Sequence, residues 1–154
     1  MTFLGMEIET MMEASLYKME FEKIMNAARL AGCDLLAEGE YIRITNSGHL
    51  PSSIKEKIKE HKSLFLEFLN RDTQAKQVGF MIGISGEVYT RSLSKNSIVY
   101  IEQIGGNWEA WRETYQKNNQ RAISVKVICN AATFEYVLLK ANSYFDYIER
   151  KSLY

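Results

Sequence analysis

The chain has 154 residues, 46% hydrophobic and 25% charged, the composition of an ordinary globular protein of one or two small domains. Lys+Arg and Asp+Glu both number 19, so the formal net charge is zero and no global field draws the chain to nucleic acid or an anionic membrane. Two cysteines, Cys33 and Cys129, exclude a disulfide framework or a metal quartet, and the longest uncharged apolar run, Val78 to Gly86, is too short to span a bilayer.

Charge is nevertheless uneven along the chain. Residues 1–70 carry 8 Lys/Arg against 11 Asp/Glu, and residues 71–154 carry 11 against 8. An asymmetry of this size favours head-to-tail association or arises by chance. Glu7, Glu9 and Glu13 precede the first basic residue, Lys18, which is the wrong start for a signal peptide and places the chain in the cytoplasm. Ile8, Met11, Met12 and Leu16 step at helical intervals and extend the first helix. The flexible thioethers of the methionines here suit an adaptable interface or a helix end packed on the core.

The next elements follow from periodicity and turn residues. Phe21, Ile24, Ala28 and Leu30 mark a helix that stops at Ala31-Gly32, where glycine accepts the left-handed cap. Residues 33–37 and 41–45 read as strands around the short loop Glu38-Gly39-Glu40. Ser47-Gly48 and Leu50-Pro51 then lead into a long helix with Ile54, Ile58, His61, Phe65 and Phe68 on one stripe.

This order of helix, tight hairpin and Pro-initiated amphipathic helix over residues 17–69 resembles the TubC-type N-terminal docking domain of hybrid polyketide/nonribosomal peptide synthases. The resemblance covers about a third of the chain and rests on short apolar positions plus Gly and Pro. It implies a dimeric αββα module whose exposed hairpin receives the tail of a partner protein, commonly an acidic one. The 85 residues after the module are too few for a condensation or adenylation enzyme. Relatives of the domain also occur in plasmid and phage proteins, which implies an accessory or inhibitory role on a larger complex. Residues that would receive the tail are Tyr41 and Arg43 on the hairpin, with Lys55, Lys59 and Lys62 on one face of the following helix. The same lysines, with Glu56, Glu60 and Glu67 beside them, also make an ordinary solvated face.

Residues 71–77 are polar and aperiodic and read as a linker. Beyond it, residues 78–154 predict an antiparallel sheet of four to five strands covered by one C-terminal helix, so the fold class is α+β. Val78 to Ile84 and Glu87 to Arg91 flank a turn at Ser85-Gly86, and Ile98 to Ile104 and Trp108 to Tyr115 flank Gly105-Gly106-Asn107. Ile123, Val125, Val127 and Cys129 alternate as a fifth strand. Asn130 is placed to cap a helix with Phe134, Val137, Leu138, Ala141, Phe145 and Ile148 on one face. One sheet face is left open, and strand parity sends Trp108 and Trp111 to opposite faces.

Catalytic chemistry finds little support. His49 and His61 have no Cys or Asp at ligand spacing, so no metal is expected, and the glycines form no dinucleotide fingerprint, so no cofactor is expected. Ser85 lies in a Gly-x-Ser-Gly-Glu context followed by a hairpin instead of the helix of a nucleophile elbow. Glu109 and Glu113 are a strand-surface pair of the kind that acid–base catalysis can use but that sheets carry routinely. The reading is a non-catalytic adaptor that binds another protein. The second reading is nucleic-acid binding through the aromatic and basic hairpin 107–129, by Trp111, Tyr115, Lys117, Arg121 and Lys126.

Overall fold

A computed structural model describes residues 18–117 and 121–152. The expected helical extension through Ile8, Met11, Met12 and Leu16 lies outside these residues. The fold is α+β, and the chain divides between Asn70 and Arg71 into two compact units, each with its own core.

In the first unit, helix α1 (residues 18–30) stops at Gly32, whose φ of 75° is the left-handed value that a side chain would strain. Strands β1 (Leu35–Glu38) and β2 (Tyr41–Ile44) pair antiparallel with Leu35 opposite Ile44 and Glu38 opposite Tyr41. The alternation buries Leu35 and turns Ala37, Ile42 and Ile44 toward the core, while Leu36, Tyr41 and Arg43 stay exposed. Asn46 closes the base of the hairpin: its side-chain amide donates to the Gly32 carbonyl at 3.1 Å, and its own carbonyl accepts from the Cys33 thiol at 3.3 Å. Buried Cys33 therefore acts as a small hydrophobe with one weak donor.

A short 3-10 turn (Ser47–His49) leads into helix α2 (Ser52–Glu60). The single long helix expected here is broken. His61 terminates α2 with φ −113° and ψ 30°, and α3 (Lys62–Gln77) starts at the next residue. The break brings Ile58 from α2 and Phe65, Phe68 and Leu69 from α3 into one core with Phe21. The Phe21 ring meets Phe65 and Phe68 edge-on, with centroids 4.9 and 4.5 Å away.

Residues 71–77 are not a linker; they are the last turns of α3 and belong to the second unit. Their polar side chains are tied by long-range bonds that no local pattern reveals. Buried Asp72 accepts from the Ser85 hydroxyl, from the Gly86 N–H at 2.7 Å and from the Tyr89 hydroxyl at 2.6 Å. Arg71, also buried, donates Nε to the Gly86 carbonyl at 3.0 Å and lies over the Trp108 ring.

The second unit is an antiparallel sheet in chain order: β3 (Met81–Ile84), β4 (Val88–Ser94), β5 (Ser97–Ile104), β6 (Asn107–Tyr115) and β7 (Ala122–Ala132). Helix α4 (Phe134–Ser152) covers one face. Tyr89, Val99, Ile101, Trp108 and Ala110 are buried beneath Phe134, Val137, Leu138, Ala141 and Phe145. The helix begins later than expected: β7 runs on to Ala132, and the Thr133 hydroxyl, not Asn130, accepts the Tyr136 N–H at 3.3 Å. No helix of the described residues is long and apolar enough to cross a membrane.

Candidate functional site

The first unit carries an open groove of about 320 Å³ between the outer edge of β2 and helix α2. Tyr41, Ile42 and Ile44 form the hairpin wall. Ser47 closes one end, and Lys55, Ile58, Lys59 and Lys62 supply the helical side. The sequence explains the arrangement. Ile42 and Ile44 share the inward parity of β2, and Ile58 falls on the buried stripe of α2, so together they lay an apolar floor. Lys55, Lys59 and Lys62 step by four and three residues and form the rim.

The lysines differ in how they are engaged. Lys57, on a different face of α2, pairs with Glu20 at 3.1 Å and, by hydrogen bond and charge, holds that carboxyl below its ordinary pKa. Lys62 sits 4.9 Å from the centre of the exposed Tyr41 ring. Among the described residues neither Lys55 nor Lys59 has an ion-pair partner. Among the described residues the hairpin sheet has two strands, so the other edge of β2 has no strand partner among them.

Four of the five expected docking residues therefore meet at one place: Tyr41, Lys55, Lys59 and Lys62. Arg43 does not. It lies on the outer hairpin face and forms an exposed ion pair with Glu38 at 3.1 Å. The sequence reading takes Ile42 and Ile44 only as strand positions and Ile58 only as part of a helical stripe; in the structure half-buried Ile42 and Ile44 line the groove together with buried Ile58.

The residues of the expected nucleic-acid hairpin separate. Trp111 is half-buried on the open sheet face, stacked on Tyr100 with centroids 5.4 Å apart and planes 15° apart. Its Nε1 donates to Glu113 at 3.1 Å. Tyr115 donates its hydroxyl to the same carboxylate and shares a 3.2 Å contact with the Tyr100 hydroxyl. These bonds hold the Tyr115 hydroxyl well above the ordinary tyrosine pKa, Glu113 contributing most. Lys126 is on the other face: it pairs with Arg112, and its Nζ lies 5.5 Å from the Tyr144 ring on α4. Trp108 is buried on that helix side, stacked near Tyr89 and tilted against Phe134. Lys117 is exposed just after β6 and Arg121 is exposed just before β7.

The sheet thus separates Lys126 from Trp111 and Tyr115. A carboxylate occupies the position beside Trp111 where a phosphate-binding cation would be needed. Ser85 has its hydroxyl committed to buried Asp72, and no group of three or more potential metal ligands exists among the described residues. Comparison of the chain with family models, with curated proteins and with solved structures finds no match in any of the three.

Proposed function

We propose that the chain is a non-catalytic adaptor that docks an extended, acidic tail of another protein in the groove beside β2. The observation that carries this reading is an apolar floor of Ile42, Ile44 and Ile58 under a lysine rim in which Lys55 and Lys59 have no internal partner among the described residues. A tail segment laid along β2 gains main-chain hydrogen bonds at the free edge and seats an apolar side chain on the floor. Its carboxylates meet the lysines, which sets encounter rate and selectivity more than total affinity. The resemblance of residues 17–69 to a docking module supports the same reading from the sequence side.

The test uses the full chain and two synthetic tail peptides of equal length, one with Asp and Glu among Leu and Phe, the other with Lys and Arg in their place. The acidic peptide binds and the basic one does not. The double variant Lys55→Glu/Lys59→Glu weakens the acidic peptide about tenfold or more, from about 1.4 kcal/mol of lost rim attraction. Equal binding of both peptides, or no binding of either, overturns the proposal.

A further inference from the structure

The sheet of the second unit sorts its charge by face. The three cations on its strands, Arg91, Arg112 and Lys126, all lie on the α4 side against aromatic partners. Arg91 sits 3.9 Å from the Phe145 ring centre, and Arg112 donates to the Tyr144 hydroxyl at 3.0 Å. The three strand glutamates, Glu102, Glu109 and Glu113, all lie on the opposite, open face.

Register shows how that face is laid out in rows across the strands. The central row runs Met81, Thr90, Tyr100, Trp111, Val127. On one side of it Val88, Glu102 and Glu109 stand in line; on the other, Ile98, Glu113 and Val125. Met81, Val125 and Val127 are 71%, 61% and 51% exposed, so the apolar row is open to solvent. Glu102 and Glu109 are directly opposite each other, an arrangement that destabilises a sheet, and neither has an ion-pair partner among the described residues. Glu113 is fixed by the Trp111 and Tyr115 donors, so the aromatic row is held in place before anything binds.

We infer that this open face is a second docking surface, and that its occupant is a cationic amphipathic helix of a partner protein, with an apolar stripe flanked by Lys or Arg. The stripe lies on the Tyr100–Trp111 row and the flanking cations reach Glu102 and Glu109 on one side and Glu113 on the other. Two observations select this occupant over a second copy of the chain. A two-fold partner would bring the same three glutamates against these, with no strand cation on either face to answer them. Five strands spaced about 4.8 Å apart and the five open-face positions of β6 (Asn107, Glu109, Trp111, Glu113 and Tyr115), about 6.7 Å apart, also give a face of roughly 19 by 27 Å, room for one helix and below the roughly 800 Å² per partner of a stable dimer. Nucleic acid is opposed by the same carboxylates.

Both tryptophans are in this unit, and only Trp111 is on the open face, so quenching of tryptophan fluorescence by acrylamide reads its cover. The probe is a synthetic helical peptide with a Leu stripe flanked by Lys and Arg; its Glu-flanked counterpart and a single-stranded oligonucleotide are the controls. The cationic peptide binds the full chain, protects Trp111 and is weakened by salt. Glu102→Gln/Glu109→Gln weakens it about tenfold, and the exposed-site variant Val127→Lys does likewise, while binding of an acidic tail in the β2 groove is unchanged by either. The inference is overturned if the cationic peptide leaves Trp111 unprotected, if both variants bind it as wild type does, or if the oligonucleotide or a second copy in sedimentation protects Trp111 instead. Since the two surfaces use different residues, failure here leaves the groove reading standing, and failure there leaves this one.

Discussion

Replacing Asp72 with Ala tests whether residues 71–77 belong to the folded core of the second unit. In the native state the carboxylate receives the Ser85 hydroxyl, the Gly86 N–H and the Tyr89 hydroxyl, and it is only 6% exposed. Alanine removes the acceptor and leaves at least two buried donors, Gly86 N–H and Tyr89 O–H, without a partner. Each orphaned group costs about 1–3 kcal/mol, so Asp72→Ala destabilises this unit by roughly 2–6 kcal/mol. Asp72→Asn keeps one acceptor oxygen and loses the charge assistance, for a smaller cost of about 1–2 kcal/mol. Urea unfolding followed by tryptophan fluorescence measures this unit alone, because Trp108 and Trp111 both belong to it. A solvated linker predicts a change within about 0.5 kcal/mol for either variant. That result would refute the reasoning, and so would an Asn variant as damaging as the Ala variant.

Two further outcomes follow from the cores. Phe21→Ala removes a ring that is 1% exposed and in edge contact with two others, and costs the first unit about 3–5 kcal/mol, measured as lost hydrogen-exchange protection in β1 and α2; protection at the wild-type level would show that the ring cluster carries no stability. Tyr89 supplies a pH dependence. Burial first, and then the hydrogen bond to Asp72, hold its hydroxyl far above its ordinary pKa. Below about pH 10 the tyrosine is protonated in both folded and unfolded chains and contributes no slope. As pH rises past that value the unfolded chain loses a proton that the folded chain keeps, so stability falls with pH. In urea titrations from about pH 8 to 11, Tyr89→Phe has a shallower decline than wild type; parallel curves would sink this assignment.

Strand parity and turn residues made much of the architecture legible in the sequence, and the failures share one cause. Alternation along residues 108–115 sends Trp108 and Trp111 to opposite faces without saying which is covered; the structure buries Trp108 and leaves Trp111 on the open face. The same rule misplaced the far end of the last strand. Val127 and Cys129 share sequence parity, yet Val127 pairs with Trp111 on the open face and Cys129 with Ala110 on the covered face, because the register shifts between those pairs. Bulges of this kind depend on the neighbouring strand, and nothing local announces them. The helical end 71–77 was hidden for a related reason: Arg71 and Asp72 are polar, and their partners lie 13 to 17 residues away in sequence. The break at His61 has no Gly or Pro to mark it; the packing of two aromatic turns on Phe21 accompanies it. In the groove, the helical spacing of Lys55, Lys59 and Lys62 was readable, whereas Arg43 was assigned by proximity in sequence and turns out to be satisfied by Glu38.

Zero net charge is therefore a sum that conceals its parts. A rim of three lysines marks the groove of the first unit, and three carboxylates with no strand cation mark the open sheet face of the second. Fields from such exposed groups decay over about 8 Å at physiological ionic strength, so each surface acts on what touches it and the balance of the whole chain does not matter. The acidic first half carries the basic groove and the basic second half carries the acidic face, opposite to what the half-chain charges imply. Half-chain charge counts solvated side chains that face nothing in particular, whereas recognition depends on charges arranged around apolar surface. The adaptor proposed above, selecting one partner by its acidic groups and another by its basic groups, depends on that local contrast.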